Sequence, residues 1–392
     1  MSAPRRRVYL DYAASAPLRR EALEAEAAYE RSSYAGANPN SLHSAGREAA
    51  RALDGARRDI VRMLGGRFRP SDVVFTSGGT ENNNLALVGL SEGARARDRR
   101  RIKVLVSAIE HDSGLDEAPY LRDMGFEVET LRPSREGFIE ASTLREALGT
   151  DVALVSVMAA NNETGVVQPI DELARLAHGA GALFYTDAAQ GFGKVPLALA
   201  NCDAVGLVGH KIGAPVGTGA LVVRNGVPLR PQTFGGGQER GVRPGTQDVR
   251  GALAFAAAAK ACCKDLERTR GIVANRARML YGLVCAQDTG ITPTTDTLVG
   301  ANKLPGIVSL LVEGADSESL VLQLDERGFE VSAASACASG SLDASHVLTA
   351  MGISRDKAFG SLRVSFDERV SEDDLRLFAE ALLEVAVQFQ GN

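Results

Sequence analysis

From about residue 45 onward, short apolar runs alternate with stretches in which apolar residues return every three or four positions. The spacing of Leu53, Ala56, Ile60 and Met63 predicts a helix over residues 47–64 with one buried face. Short strands are predicted at 73–76 and 104–107, with a helix over 81–90 between them. Residues 152–157 and 183–186 are apolar and β-branched, as parallel strands covered on both faces tend to be. Residues 204–208 and 220–223 read as strands bracketing a Gly-rich turn. This alternation argues for a doubly wound α/β domain. After about residue 260 the pattern changes. A long helix with breaks is predicted over 252–286, then a strand at 306–312, a helix at 317–326, a strand at 361–366 and a helix at 372–389. Ser371 with Asp374 reads as a capping box for the last helix. The second block reads as a smaller α+β domain. The expected division is 15–260 for the large domain, with 1–14 and 261–392 forming the small one.

Composition narrows the function. A chain of 392 residues has room for two such units. Its 44 basic and 49 acidic residues give a net charge of −5, which argues against a general binder of nucleic acid or membrane surfaces. The longest apolar stretch, 251–259, stops at Lys260, far short of the ~20 residues a bilayer requires. Residues 1–7 are basic but no apolar core follows, so no signal peptide is expected. The five cysteines (202, 262, 263, 285 and 337) are odd in number and lack metal-ligand spacing. A reducing, cytoplasmic setting and no metal site are the expectation.

Four features bear chemistry. Residues 76–81, Thr-Ser-Gly-Gly-Thr-Glu, follow a strand and open a helix. Free N–H groups at a helix start, approached closely through Gly, suit a phosphate, although a plain glycine turn with a cap fits the same residues. Asp187 ends the strand at 183–186, where α/β folds bind ligands; a cap for the next helix is the alternative. Lys211, in Gly209-His210-Lys211, follows the strand at 204–208 and precedes a loop rich in Gly and Pro. Partial burial there would make its neutral amine available for Schiff-base chemistry. Cys337 sits in Ser-Ala-Ala-Ser-Ala-Cys-Ala-Ser-Gly-Ser at 332–341, a run with little to bury. That favours a nucleophile on a mobile loop over a packed core thiol. Cys202, Cys262, Cys263 and Cys285 lie in or beside apolar segments and read as packing. His43 and His346 read as helix-start residues, and His178 as a surface one.

The order and spacing of further motifs resemble the cysteine desulfurases, within the class V aminotransferase group of fold-type-I pyridoxal-phosphate enzymes. The motifs are Asn38-Pro-Asn-Ser-Leu-His43 with Gly46-Arg47, Phe75-Thr-Ser-Gly-Gly-Thr80-Glu81, Glu110-His111 and Asn161-Asn162-Glu163-Thr-Gly165. Asp187-Ala-Ala-Gln190, Gly209-His210-Lys211, Gly235-Gly-Gly-Gln-Glu239-Arg240 with Gly245-Thr246, Ser335-Ala-Cys337 and Ser361-Leu-Arg363 complete the set. The resemblance runs from residue 8 to about residue 385.

It implies a set of roles. Lys211 resembles the lysine that binds pyridoxal phosphate covalently. His111 resembles the imidazole that stacks on its ring and moves protons. Asp187 would pair with the ring nitrogen, Gln190 would bond the phenolate oxygen, and Asn162 would lie near substrate and ring. Gly79, Thr80 and His210 would hold the phosphate, and Thr246 would reach the phosphate of a neighbouring subunit in a homodimer. Arg363 would clamp the carboxylate of L-cysteine. Cys337 would take the sulfur as a persulfide and pass it to an acceptor protein, an iron–sulfur scaffold or a tRNA thiolation enzyme, with no direct nucleic-acid or membrane contact. The stretch at about 332–345 resembles the longer, mobile-loop subgroup. Two departures stand out. Val208 occupies a position where the family often has Ser, and the cysteine loop lacks a Gly and two hydroxyls common there. The alternative is another class V enzyme, a selenocysteine lyase or an aminotransferase.

Overall fold

A computed structural model describes residues 7–65, 67–286, 288–334 and 344–390; Cys337 lies outside them. Six of the predicted strands pair into one sheet with a seventh, the mostly exposed edge strand Glu127–Leu131, which the apolar pattern did not mark. Its order is Val73–Thr76, Gly219–Val223, Ala204–Val208, Leu183–Asp187, Val152–Ser156, Lys103–Ser107, Glu127–Leu131. Gly219–Val223 runs antiparallel to both neighbours, while the other pairings are parallel. The chain returns to it through residues 209–218, too short a link for a parallel crossover. Successive side chains point to opposite faces of a strand. Phe184 accordingly packs with Leu53, Ile60 and Phe255 on one face, and Tyr185 with Leu85, Leu90 and Leu121 on the other.

The helix predicted from residue 47 spans Ser44–Leu64 and buries Leu53, Ala56 and Ile60 as the spacing requires. The helix predicted over 81–90 is longer, Gly79–Arg97. Its extension turns on close packing. A Cβ on Gly93 would lie 2.2 Å from the Pro228 carbonyl oxygen, and one on Gly89 2.5 Å from that of Arg230. These glycines let the backbone at 228–230 cross the helix; they do not end it.

A second sheet is antiparallel, in the order Ser361–Ser365, Ile307–Val312, Ile291–Pro293. It shares a core with Leu10, Leu280, Leu324 and Phe378. The long helix predicted over 252–286 is two, Val249–Lys264 and Leu266–Val284, which meet at Asp265. In the last helix, Glu372–Gln390, Ser371 Oγ accepts the Asp374 N–H at 3.1 Å, as half of a capping box does. Among the described residues no helix is long and apolar enough to cross a membrane.

The N-terminal segment stitches the sheets together. Leu10 O accepts from Ser365 N, Ala13 N donates to Ser365 Oγ, and Ala16 N donates to His210 O. The Ala13–Ala14 backbone is thereby fixed between the carboxyl edge of the large sheet and the strand Ser361–Ser365.

Replacing Gly93 by Ala tests the helix seat. Helix propensity alone would favour Ala by about 0.5–1 kcal/mol, but overpacking costs about 1–3 kcal/mol. We expect a net loss of stability, read as a lower urea midpoint with unchanged slope.

Candidate active site

The strand Leu183–Asp187 ends on a carboxylate, and the chain must satisfy it where water is excluded. Asp187 is buried. Its Oδ1 accepts the Ala189 N–H at 2.8 Å and its Oδ2 accepts Asn83 Nδ2 at 3.2 Å. Asn83 stands in the first turns of the helix Gly79–Arg97. It also donates to Ser113 Oγ at 2.8 Å and accepts from Tyr185 Oη at 2.6 Å. Ser113 in turn orients His111. The Ser113 N–H donates to His111 Nδ1 at 3.1 Å, so the neutral ring carries its proton on Nε2. One polar chain thus joins Asp187 to His111 through Asn83 and Ser113.

Lys211 follows the strand Ala204–Val208 in the short turn His210–Ile212, which Gly213 reverses at φ +82°. Its Nζ donates to Ala13 O and Ala14 O, each at 2.8 Å. Gln190 Nε2 donates to the same Ala13 O at 2.9 Å, and Gln190 Oε1 accepts from Lys194 Nζ at 2.8 Å. Arg363 is 2% exposed. It pairs with Asp11 at 2.8 Å, donates to Asn162 O at 3.2 Å, and leaves Nε buried without a partner.

These residues line one cavity of about 370 Å³, within the range that takes a small ligand. Lys211, His111, Asp187, Gln190, Asn162 and Arg363 all face it. Ala334 and Ala344, which flank the segment bearing Cys337, also line it. Gly79, Thr80, His210 and Thr246 do not. Gly79 and Thr80 open the helix Gly79–Arg97, whose start has no side-chain cap, and Thr80 is exposed. His210 Nδ1 lies 3.3 Å from Ser15 Oγ. Burial, then the charges of Lys211 and Lys194, push its imidazole down to about 4, so it is neutral at pH 7. Thr246 lies in a separate cleft with Glu81, Phe234 and Arg243.

Three further groups escaped sequence reasoning. Burial pushes Glu110 up to about 7, against hydrogen bonds from Ser107 Oγ and Met158 N. Burial likewise pushes Glu163 up to about 6, and it accepts from Ser345 Oγ. His346 begins the helix His346–Ala350, as expected, yet its ring lines the cavity and its Nε2 lies 3.0 Å from Glu110 O. The Asn82-Asn83-Asn84 run was a usable signal, because such poor helix formers in a first turn call for a polar partner. Cys202 and Cys262 are buried, with thiols pushed by burial up to about 12, as packing residues are. His178 is held at 2.8 Å by Asp203 and is partly covered.

The donor set fits pyridoxal phosphate. The uncapped helix start, opened by Gly78 at φ +150°, supplies anion-binding N–H groups. A buried carboxylate suits a protonated ring nitrogen, and an amine, Lys211, lines the same cavity.

A model of the aminotransferase class-V family matches residues 8–378. The chain is 38% identical to an IscS-like cysteine desulfurase of Mycobacterium tuberculosis, covering 95% of both chains. It resembles a solved NifS-like protein, with TM-score 0.88 and 30% identity, over 97% of this chain and 100% of that one. It also resembles SspA solved in complex with cysteine, with TM-score 0.76 and 32% identity, over 91% and 98% of the two chains.

The buried carboxyls make stability depend on pH. Glu117 has both oxygens buried without a partner, and burial pushes it from 4.5 up to about 8. Its folded-state pKa is raised, so its penalty is absent below 4.5 and grows as pH rises toward 8, by about 1.4 kcal/mol per unit. Glu110 and Glu163 act in the same direction. Denaturant titrations at pH 5 and pH 8 should show lower stability at pH 8, and Glu117→Gln should shrink the difference.

Proposed function

This chain belongs to the aminotransferase class-V family as a pyridoxal-phosphate-dependent cysteine desulfurase, and on that premise we propose which residues carry out the reaction. The observation that carries the reading is the single cavity shared by Lys211, Asp187, His111 and Arg363, with both flanks of the Cys337 segment at its rim. When bound, pyridoxal phosphate supplies an electron sink for the bonds at the substrate Cα. Asp187 would hold a proton at the ring nitrogen, and Gln190 would donate to the phenolate oxygen. Gly79, Thr80 and His210 would hold the phosphate, joined by Thr246 of a second copy.

Arg363 receives the carboxylate of L-cysteine, for which its unpartnered Nε–H and forked geometry are suited. Asn162 lies beside it through the Arg363 contact. Lys211 removes the Cα proton, and His111, with its proton on Nε2, moves protons at the substrate. The Cys337 thiolate attacks the substrate sulfur. An S–S bond forms on the protein, the C–S bond of cysteine breaks, and protonation of the remaining carbons gives L-alanine. The terminal sulfur then goes to an acceptor protein of the iron–sulfur scaffold or tRNA-thiolation kind.

A homodimer completes the site in this reading. Leu42, Val216 and Phe234 are 88%, 79% and 87% exposed, an unusual outlay of large apolar side chains. Phe234 shares a cleft with Thr246. A cytoplasmic setting accords with four described cysteines that form no disulfide.

Replacing Cys337 by Ala should leave the visible absorption of bound pyridoxal phosphate intact while sulfide release from L-cysteine with reductant falls to background. Full activity in that variant would contradict the persulfide step. Replacing Phe234 by Glu should shift the protein from dimer toward monomer by light scattering. A variant as dimeric as the wild type would remove this face from the interface.

A further inference from the structure

We infer that Lys194 is a positioning residue for this site: it holds the Gln190 amide so that N–H, and never the carbonyl, faces the cofactor cavity. The inference rests on the placement of pyridoxal phosphate in the larger cavity. The two ends of a glutamine amide are nearly the same shape, so its neighbours decide which way it points. Here both neighbours are one-sided. As the ammonium, Lys194 Nζ has only donors, and it lies 2.8 Å from Gln190 Oε1. The Ala13 carbonyl can only accept, and it lies 2.9 Å from Gln190 Nε2. A flipped amide would lose both bonds and set donor against donor and oxygen against oxygen. The remaining N–H of Gln190 is therefore all that it offers to the cavity it lines, which suits an electron-rich oxygen there.

Lys194 is committed to this task by the fold. It sits four residues after Gln190 in one tight turn, in which its own N–H and that of Val195 both bond Gly191 O. With Lys211 it also lines a second, smaller cavity of about 50 Å³. The charged groups around it come from every side. Lys211 and His210 face it from the cofactor-lysine turn, Arg363, Asp367 and Glu368 from the strand Ser361–Ser365 and the residues after it. Arg19 faces it from the N-terminal segment and Cys262 from the helix Val249–Lys264. Burial, then the charge of Lys211, push its amine down to about 7, with Asp367 opposing.

The test reads the visible absorption of the full-length, pyridoxal-phosphate-loaded protein against pH, without substrate. Lys194→Met removes both a donor and a nearby cation. Each loss favours the protonated form of the Lys211–cofactor linkage, so the spectral midpoint should rise, by roughly half a unit to one unit. Lys194→Gln keeps a donor for Gln190 Oε1 and should shift it less; it also serves if the Met variant does not fold. Because Lys194 acts through Gln190 as well as by its charge, Gln190→Leu combined with Lys194→Met should shift the midpoint by less than the sum of the two single shifts. An unchanged midpoint in both Lys194 variants would overturn the inference even if apo-protein unfolding moved, since a merely structural role predicts that pattern. Additive shifts in the double variant would overturn it as well. A wild-type protein with no visible band would overturn the cofactor placement together with the inference.

Discussion

A carboxylate buried at the carboxyl end of a parallel strand is the constraint from which the rest of the site follows. Left without donors, Asp187 would cost several kcal/mol or take up a proton. The fold answers with the Ala189 N–H and with Asn83. Asn83 reaches it from the first turns of the helix Gly79–Arg97, which the backbone at 228–230 crosses at Gly89 and Gly93. The same asparagine then fixes Tyr185 and Ser113, and Ser113 fixes the tautomer of His111. Packing of one helix therefore sets the electrostatics of the cavity wall and the direction of its one imidazole proton.

Lys211, Gln190 and Arg363 depend on the N-terminal segment. Ala13 and Ala14 lie between the two sheets and present carbonyls to Lys211 and Gln190. A few residues earlier, Asp11 pairs with buried Arg363. Arginine and amine are thus held from one short stretch of backbone. Asp11 occupies part of the arginine fork, so under the proposed role of Arg363 an incoming carboxylate would meet a cation that is already partly matched. That tempers the affinity gained from a guanidinium taken out of water. Displacement of one catalytic wall relative to the other would have to break this backbone stitch first.

Much of this was legible along the chain. The strands ending at Asp187 and at Val208, with Lys211 just beyond, follow from apolar runs and a glycine turn, because a period-two or wholly apolar run leaves little choice of structure. The face of the helix Ser44–Leu64 follows from its 3.6-residue spacing. The strand Gly219–Val223 was predicted but its antiparallel direction was not, since direction depends on link length and neighbours and not on composition. The length of the helix Gly79–Arg97 was hidden for a related reason: glycine signals a break locally, whereas here it answers a crossing backbone distant in sequence. Glu110, Glu163 and Lys194 were invisible as site residues because charge alone says solvent, and only tertiary burial turned them inward. His346 was placed at its helix start but not at the cavity, since the direction of its ring depends on the Glu110 carbonyl.

The account as a whole requires that the sulfur freed in this cavity be captured by one particular thiol, and that the amine of Lys211 be needed for its release. Peptide mass spectrometry after brief exposure of the pyridoxal-phosphate-loaded protein to L-cysteine measures this directly. One additional sulfur on the peptide containing Cys337, and none on that peptide when Lys211 is replaced by Ala, is the predicted result. Sulfur carried instead by a peptide containing Cys202, Cys262, Cys263 or Cys285, or equal labelling of Cys337 without Lys211, would contradict it.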